Sequence, residues 1–236
     1  DHNHVDFRHD AGLIPLLDQR DEHDARDRER FLHAVGVECR RIPAPSAFAP
    51  EITTVLAIPA AQVNPRLVMA ELRKRCTELD VQLRYGDTVT GLDGTTLHAA
   101  SGAQHFAHVV LASGAWTPAL ATLAGLPLRG QPVKGQLLRF ATADNLLNGF
   151  IHSRHAYLVA RRGQGIVVGA TMVESGFDKR EDAAAIAASA SAARQLLPTL
   201  AHATIVETWT GLRPRLSHGL PERSTRRRPG RGDPSA

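Results

Sequence analysis

The chain has 236 residues, 43% of them hydrophobic, so it can bury a core and fits one large domain or two small ones. Its two cysteines, Cys39 and Cys76, are too few for a disulfide framework and lack metal-ligand spacing, which indicates reduced thiols of a cytosolic protein. Much of the net charge of +4 comes from arginines in residues 223–231, where the absence of aromatic residues predicts a solvated tail and no nucleic-acid partner.

Neither a membrane segment nor a metal site is predicted. No apolar run approaches the roughly 20 residues that cross a bilayer. Residues 1–10 lack the basic start and apolar stretch of a signal peptide, which predicts a cytoplasmic location and no membrane partner. His2, His4 and His9 have no acidic or cysteine partner at ligand spacing, so a surface strand or an expression remnant is favoured over metal binding.

The beginning of the chain predicts a strand, a helix and a loop-rich connection. Residues 12–17 are strand-like, and the charged run over residues 18–30 suits a solvated helix. Several prolines punctuate residues 42–59, which predicts loops there. No residue type in this part indicates chemistry of its own.

A second helix is predicted to begin at Pro65. Asn64 is a favoured N-cap residue, and proline at the first helical position loses no hydrogen bond. Apolar residues then recur at helical spacing and predict one buried stripe. The stripe consists of Val68, Leu72, Cys76 and Leu79.

Strands are predicted to follow this helix. Alternation over residues 81–85 predicts a half-buried strand, and Val89 begins another, with hairpin turns at Gly94 and Gly102. Residues 108–116 form a continuous apolar run that ends in small residues. This run predicts a strand buried on both faces, whose end lets a ligand or another backbone approach.

Beyond Pro127 the sequence predicts an antiparallel sheet and one helix. The predicted strands, with a hairpin at Gly163 to Gly165, cover residues 135–140, 156–161, 165–170 and 205–211. An alanine-rich helix over residues 181–197 ends before Pro198.

The motifs leave several functions open. Gly163 and Gly165 are followed by Val168 where a dinucleotide fingerprint needs a third glycine, and a strand follows where the fingerprint needs a helix. Arg213 could form two parallel hydrogen bonds with a carboxylate, although a surface role is the commoner one for such an arginine. Tyr157 suits a core position as well as a binding site. The same holds for Met172.

Seven segments, in order along almost the whole chain, resemble the glycine oxidase / D-amino-acid oxidase family. They are Val63-Asn64-Pro65-Arg66-Leu67, Val109 to Trp116 (Val-Val-Leu-Ala-Ser-Gly-Ala-Trp), Pro132-Val133-Lys134-Gly135-Gln136, Tyr157-Leu158-Val159-Ala160-Arg161, Gly169-Ala170-Thr171-Met172, Leu197-Pro198 and Trp209-Thr210-Gly211-Leu212-Arg213-Pro214. Ala160 replaces the family's usual proline. The Val-Lys-Gly-Gln and Gly-Ala-Thr-Met forms favour glycine oxidase over sarcosine oxidase or the D-amino-acid dehydrogenases.

The resemblance implies roles for particular residues. Arg213 would anchor the substrate carboxylate, Tyr157 would place a hydroxyl near the substrate, and Met172 would form part of the pocket wall. For FAD, the implied contacts are Val89, whose backbone would meet the adenine, and the segment that passes beside the flavin. That segment supplies Ser113, Gly114 and Trp116.

The resemblance also implies a fold and a domain organisation. The expected fold is α/β, with a Rossmann-like FAD-binding domain, incomplete in this chain, interleaved with an antiparallel-sheet substrate domain. Residues 1–59 and 134–215 would build the substrate domain, and residues 60–133 part of the FAD-binding domain. Residues 216–236 would form a basic disordered tail.

Two features depart from the family pattern. The family opens with a strand, a Gly-x-Gly-x-x-Gly loop and a helix for FAD, which this sequence does not contain. After residues 219–221 the family continues with Gly-His-x-Arg-x-Gly, whereas this sequence turns basic. The change is typical of a truncated or frame-shifted end and predicts that this chain alone does not hold FAD.

The implied reaction is FAD-dependent oxidation of glycine or another small amino acid. Molecular oxygen would accept the electrons, yielding hydrogen peroxide and an imine that hydrolyses to a keto acid, in the service of thiamine (thiazole) biosynthesis. The resemblance leaves a homo-oligomer open. Two alternatives also stay open, a non-catalytic truncated remnant of such an enzyme and a quinone-linked D-amino-acid dehydrogenase of the same fold.

Overall fold

The computed structural model describes residues 5–126, 128–143, 146–217 and 219, and the chain divides into two units. The first unit comprises residues 1–82, 135–172 and 180–210, and the second comprises residues 83–134, 173–179 and 211–236. Residues 60–82 belong to the first unit, although they were expected in the FAD-binding domain. The roles of the predicted domains stay predictions, and the predicted tail lies almost entirely outside the described residues.

The described residues form eleven strands, four α-helices and short 3-10 turns. In chain order these are β1 Arg8–Pro15, α1 Gln19–Ala34, β2 Arg40–Pro43, β3 Thr54–Gln62, α2 Pro65–Glu78, β4 Val89–Asp93, β5 Thr96–Ala99, β6 Gly102–His105, a 3-10 turn Gly114–Trp116, α3 Thr117–Leu123, β7 Gly130–Phe140, β8 Phe150–His152, β9 Tyr157–Arg161, β10 Gly165–Gly169, α4 Ala183–Leu196, a 3-10 turn Pro198–His202 and β11 Ile205–Leu216.

The larger sheet has eight strands in the order β2-β3-β1-β8-β9-β10-β7-β11. Strands β7, β10, β9 and β8 pair antiparallel in succession, which confirms the antiparallel sheet predicted for this part of the chain. Strands β1 and β8 pair in parallel, so the sheet is mixed. Together with the helices, it gives the predicted α/β class.

The hairpin predicted at Gly163 joins β9 to β10. Gly163 and Gly165 have φ values of +67° and +86°, a region that glycine enters without steric cost. The Gln164 amide donates to the Arg161 carbonyl across the turn at 2.9 Å. A side chain at Gly165 would overlap the Phe140 carbonyl of β7, so glycine lets β10 start beside that strand.

Helix α4 packs into the core of the first unit. The Asp182 carboxylate caps the helix by accepting from the amides of Ala184, at 2.9 Å, and Ala185, at 3.3 Å. The buried cluster combines helix residues with alternate residues of β7, β9 and β10. Its members include Leu138, Phe140, Leu158, Ala160, Ile166, Val168, Ala190, Ala193 and Leu196. The alternation in β9 leaves Tyr157 and Arg161 on the other face of that strand.

Helix α1 is the predicted solvated helix, and charged side chains stabilise its N-terminus. The Asp18 carboxylate caps it by accepting from the amides of Arg20 and Asp21, each at 2.9 Å. Arg154, in the turn between β8 and β9, donates to Asp18 at 2.6 Å and to Asp21 at 2.7 Å. Only Asp21 and Ala25 of this helix are buried, and polar contacts, among them those of Arg41 in β2 with Glu22 and Glu29, attach it to the sheet.

The loops predicted for residues 42–59 are partly wrong, because β3 begins at Thr54 and runs through Pro59. In the ladder with β1, Pro59 lies opposite Ala11. Strand β2 pairs only with β3 residues 54–57, so the β2 side of β3 has no partner at Pro59. The missing amide hydrogen of Pro59 therefore costs no ladder bond with β2.

Helix α2 begins as predicted, but its apolar stripe is not buried. Asn64 caps the helix by accepting from the Arg66 amide at 3.0 Å, and Pro65 is the first helical residue. Among the described residues of α2 none is buried, and Leu72 and Leu79 are 53% and 60% exposed. Helical spacing places these residues on one face, but burial also needs a neighbouring element over that face.

Two predicted strands are wrong. Residues 81–85 are irregular and their apolar side chains are exposed. Residues 107–113 are also irregular, and Val110 is 85% exposed, so the expected burial of residues 109–111 is not found. A strand buried on both faces needs a place inside a sheet and other elements that cover each face of that sheet. Neither sheet in the described part of the chain includes these segments.

The second unit contains a three-stranded antiparallel sheet in the order β4-β5-β6. Val89 begins β4, as predicted, and the two predicted turns join the strands. Gly94 and Gly102 have φ values of +59° and +122°, which explains glycine at both turns. This sheet carries one of the predicted FAD contacts, Val89.

Candidate functional site

Tyr157 opens β9 directly opposite Gly169, the last residue of β10. The next residue, Leu158, is fully buried in the core, whereas Tyr157 is only partly buried on the opposite face of the strand. Strand alternation therefore keeps the phenol out of the core that α4 closes. The phenol therefore lies outside that core, and its role toward a ligand stays a prediction.

Met172 lies at the same end of the β9–β10 pair as Tyr157. It follows Gly169 by three residues, and its side chain is 68% exposed. The preceding residue, Thr171, is fixed to β7, because its hydroxyl oxygen accepts from the Gln136 amide at 3.0 Å. The first unit thus brings the segments of two predicted pocket residues to one end of a strand pair.

A partly buried polar cluster, which sequence reasoning missed, adjoins β9. It is called the Arg8 cluster here and consists of Asp6, Arg8, Asp10, Gln62 and Arg161. Arg8 donates from Nη2 to the Ala160 carbonyl at 2.5 Å, and its Nε lies 3.3 Å from Asp6 Oδ1. The signal in the sequence was the spacing of Asp6, Arg8 and Asp10 by two residues: β1 places Arg8 and Asp10 on one face, and Asp6 precedes the strand.

Arg161 ties the Arg8 cluster to the strand that carries Tyr157. Its Nη1 donates to the Val63 carbonyl at 2.7 Å. Burial, followed by repulsion from Arg8, lowers the pKa of Arg161, and Tyr157 is among the groups whose charge acts on it. An arginine keeps its charge despite such a shift, so the cluster keeps a cation on the strand that carries Tyr157.

Gln62 is the most buried residue of the Arg8 cluster. Gln62 is 8% exposed, and its Nε2 donates to Asp10 Oδ2 at 2.5 Å. Among the described residues its Oε1 makes no hydrogen bond although it is buried. An unsatisfied buried acceptor is costly, so the neighbouring bonds must hold this side chain in place.

Arg213 belongs to the second unit, in the exposed part of β11. In that unit β7 and β11 approach closely, since a Cβ added to Gly130 would lie 2.9 Å from the Arg215 carbonyl oxygen. Arg215 pairs with Glu174 and holds the pKa of that carboxyl below its usual range. Arg213 therefore lies on β11, whose backbone packs closely against β7.

The segment predicted to pass beside the flavin is irregular up to Ser113 and then forms the 3-10 turn Gly114–Trp116. Gly114 has a φ of +56°, and nothing lies within 4 Å of the position a Cβ would take, so another group can approach its backbone. Trp116 is 51% exposed, with its ring centroid 5.3 Å from that of Phe177. The Ser113 hydroxyl accepts from Thr117 Oγ1 at 3.4 Å.

These residues fit part of FAD. The open backbone at Gly114 and the half-exposed ring of Trp116 suit a flat aromatic group, and half-buried Val89 at the start of β4 offers a strand backbone. A pyrophosphate needs a ring of amide donors at a helix N-terminus. The sequence has no glycine-rich loop that would supply one, so the fit extends to the ring systems only.

The predicted site residues are divided between the two units. Tyr157 and Met172 belong to the first unit. Arg213 and the predicted FAD contacts belong to the second, the latter being Val89, Ser113, Gly114 and Trp116. That the residues of both units form one site stays a prediction.

A second feature that sequence reasoning missed is an ion-pair network around Glu207 in the first unit. Its carboxylate accepts from Arg66 at 2.6 and 3.1 Å and from Arg139 Nε at 3.1 Å. The hydrogen bond from Arg66 is the main cause that lowers the pKa of Glu207. The Arg66 guanidinium also lies 4.9 Å from the ring centroid of Trp209, a cation–π distance. The network joins the start of α2 to β7 and β11.

The described ranges hold neither a cluster of metal ligands nor a helix that could span a membrane. Within them, no three His, Cys, Asp or Glu side chains come together as metal ligands. Of the described helices, none is both long and apolar enough to cross a membrane. His2 and His4 lie outside the described residues.

Comparison with known proteins gives consistent matches. The profile of the family described as DAO, FAD dependent oxidoreductase, matches residues 1–230. Glycine oxidase of Pseudomonas putida is 36% identical over 163 residues, which are 67% of this chain and 45% of that protein. Glycine oxidase of Pseudomonas aeruginosa is 34% identical over 228 residues, covering 90% of this chain and 61% of that protein.

A solved structure has the same fold. The crystal structure of glycine oxidase from Geobacillus kaustophilus superimposes with a TM-score of 0.87 at 23% identity, over 92% of this chain and 62% of that chain. This chain therefore spans about half to three fifths of the length of these relatives.

Proposed function

Because the chain belongs to the DAO family of FAD-dependent oxidoreductases, we propose that it forms the substrate-binding part of an enzyme that oxidises glycine or another small amino acid. The observation that carries the proposal is the strand pair β9–β10, which presents Tyr157 and the segment of Met172 at one end and outside the core. Two relatives in Pseudomonas are glycine oxidases, which suggests the substrate class.

Arg213 is proposed to bind the substrate carboxylate. Its planar guanidinium can donate two parallel hydrogen bonds to a carboxylate, which fixes both the position and the orientation of the ligand. Pro214 follows it and limits the backbone at this point of β11. A guanidinium on a strand whose backbone is limited by proline is suited to binding a small anion.

Tyr157 and Met172 are proposed to face the rest of the substrate. The phenol can donate or accept one hydrogen bond, and the thioether gives a soft apolar wall that adapts to a small ligand. Both groups can orient the substrate and limit access of water. No acid–base pair is needed for such a role, and orientation alone contributes strongly to rate.

The FAD contacts proposed within this chain are Val89, Ser113, Gly114 and Trp116. They would hold the ring systems through backbone approach and aromatic contact, as their exposure permits. When bound, FAD supplies the acceptor for the hydride from the substrate Cα and passes two electrons on to oxygen, which gives hydrogen peroxide. The amino acid becomes an imine, which water hydrolyses to a keto acid and ammonia.

Glycine is the preferred member of the substrate class in this proposal. The Val-Lys-Gly-Gln sequence at residues 133–136 and the Gly-Ala-Thr-Met sequence at residues 169–172 support it through the resemblance to glycine oxidases. A role in thiamine (thiazole) biosynthesis belongs to the same proposal.

The test uses a chimera in which the glycine-rich segments of the Pseudomonas aeruginosa glycine oxidase are joined to this chain. We expect the chimera to bind flavin and glycine to bleach the flavin absorbance in the absence of oxygen. Leucine serves as a control substrate with a bulky side chain. A chimera that holds flavin but is bleached by no small amino acid would contradict the proposal and favour a non-catalytic remnant.

The electron acceptor is tested in the same chimera. Stoichiometric peroxide from glycine in air supports oxygen as the acceptor. Turnover that requires an added quinone and yields no peroxide would instead favour the dehydrogenase alternative.

A further inference from the structure

The phenol ring of Tyr157 lies over Gly169 on the neighbouring strand. The two residues are directly opposed in the β9–β10 ladder. A Cβ added to Gly169 would lie 2.6 Å from both Cζ and the hydroxyl oxygen of Tyr157 and 3.0 Å from Cε1. Nonbonded carbon atoms prefer about 3.5–4.0 Å. The ring therefore occupies the space that any side chain at position 169 would need.

Glycine at position 169 is required for space and not for backbone conformation. Gly163 and Gly165, in the adjoining hairpin, have left-handed φ values that favour glycine. Gly169 is not among the residues with positive φ, and it pairs regularly with Tyr157 in the ladder. An alanine could adopt this backbone, and the three atoms nearest to its Cβ would all belong to Tyr157.

The packing fixes how far the hydroxyl stands from the sheet. The backbone of β9 cannot retreat, because Leu158 and Ala160 are buried at 0% and 6% exposure in the core on its other face. A methyl group at position 169 would therefore have to tilt the phenol outward or change its rotamer. Either change moves the hydroxyl, and displacements near 1 Å already weaken orientation in a site.

We propose that Gly169 is a positioning residue, which sets the height of the Tyr157 hydroxyl above the sheet so that it reaches a small amino-acid substrate. The packing of the Tyr157 ring over Gly169 follows from the geometry alone, whereas the link to substrate rests on the proposed function. A larger residue at position 169 would push the phenol into the space for the ligand. Glycine at position 169 would thus keep the space for the ligand and let the Tyr157 hydroxyl form a hydrogen bond with it.

The composition of the chain makes this packing directly measurable. There are two tyrosines, and the other one, Tyr85, is 72% exposed in the second unit. Labelling the tyrosine Cζ with carbon-13 gives one NMR signal for each of the two tyrosines, and a Tyr157→Phe variant assigns them. We expect Gly169→Ala to shift the Tyr157 signal and to leave the Tyr85 signal in place.

Gly91→Ala is the matched control. Gly91 also lies in a strand, and a Cβ there would make ordinary contacts of 3.4 Å with His98. It should move neither signal by a comparable amount. A folded Gly169→Ala variant with an unshifted Tyr157 signal would overturn the proposal.

Thermal unfolding keeps the proposal testable if Gly169→Ala folds poorly. We expect this substitution to lower the unfolding midpoint by roughly 3–10 °C, because overpacking costs about 1–3 kcal/mol. In a Tyr157→Ala background the same substitution should cost little, since the ring is gone. Equal losses in both backgrounds would overturn the role of Tyr157.

The results of the NMR and thermal-unfolding measurements are independent of the test of the proposed function. Both measurements use the chain without flavin, so a chimera that fails to oxidise amino acids leaves the packing result intact. Conversely, an unmoved Tyr157 signal removes the positioning role even if the chimera oxidises glycine.

Discussion

At the scale of single residues, Asp18 combines two roles, because its carboxylate caps α1 and pairs with Arg154. The amide of Asp21 is the main cause that lowers the pKa of Asp18 below its ordinary 3.8, and Arg154 adds to it. A carboxyl with a depressed pKa in the folded state stabilises the fold above its unfolded value. That contribution is lost as the pH falls through the lower, folded value.

We predict that Asp18→Asn reduces the loss of stability on acidification below about pH 4. Asparagine is as good an N-cap as aspartate, so the helix start is kept, but the side chain no longer titrates. The free energy of unfolding from urea titrations at neutral and acidic pH measures the effect. Asp24→Asn, an exposed position on the same helix, is the control. An acid response of Asp18→Asn identical to that of the parent would contradict this role.

At the scale of elements, the first turn of α2 carries its ion pair with β11. Asn64 caps the helix and Arg66 pairs with Glu207, whereas no residue of α2 is buried in the described structure. A helix of 14 residues is marginal in isolation, so contacts at its N-terminus matter more than its own propensity. The same Glu207 holds Arg139 of β7.

We predict that Glu207→Gln loosens α2 without unfolding the core. Pairs of this exposure contribute about 0.2–1 kcal/mol, so amide hydrogen exchange in α2 should accelerate by up to about fivefold. Amides of α4 should keep their rates.

Glu78→Gln is the matched control for this prediction. Glu78 is 41% exposed, and its pairs with Lys74 and Arg75 lie within α2 itself. Its removal should change exchange less than Glu207→Gln does. Uniform acceleration across α2 and α4 after Glu207→Gln would instead indicate global destabilisation.

The elements that the sequence predicts well are those with local signals. The Asn64 cap marks the start of α2, the alanine-rich run marks α4, which begins at Ala183, two residues after the predicted start, and glycines mark the β9–β10 turn. Such signals need only the neighbouring residues of the chain. They were enough for the antiparallel part of the larger sheet.

The errors concern features that depend on distant partners. The apolar residues 108–116 predict a buried strand, but no described strand flanks them. The proline at position 59 suggests a loop, yet a short β2 leaves room for it within β3. The Arg8 cluster joins β1, β3 and β9, and the Tyr157 phenol meets Gly169 twelve residues away. Such contacts follow from register and topology, which residue patterns do not specify.

At the scale of the whole molecule, the chain carries contacts suited to the rings of FAD but no loop for its pyrophosphate. We predict that the 236-residue chain, expressed alone, is colourless after purification. A helix N-terminus that follows a glycine-rich loop contributes much of the binding of such cofactors through their phosphates. The sequence lacks such a loop.

The absorbance spectrum after gel filtration measures this, with the chimera as the positive control. A yellow chain that retains flavin through the column would contradict the prediction. In that case the surroundings of Val89 and Gly114 would be sufficient for binding.

The most direct test of the substrate-binding role is the catalytic efficiency of the flavin-bound chimera with glycine after substitution of Arg213. A carboxylate left unpaired in a water-excluding pocket costs about 3–5 kcal/mol, so Arg213→Ala should lower kcat/KM by roughly 10²- to 10³-fold or more. Arg213→Lys should also lose activity, because an ammonium cannot make two parallel bonds. Flavin content should not change, and Arg73→Ala, at an exposed arginine of α2, should be silent. Unchanged KM and kcat in Arg213→Ala would contradict the account, and Arg213 would then be an ordinary surface arginine.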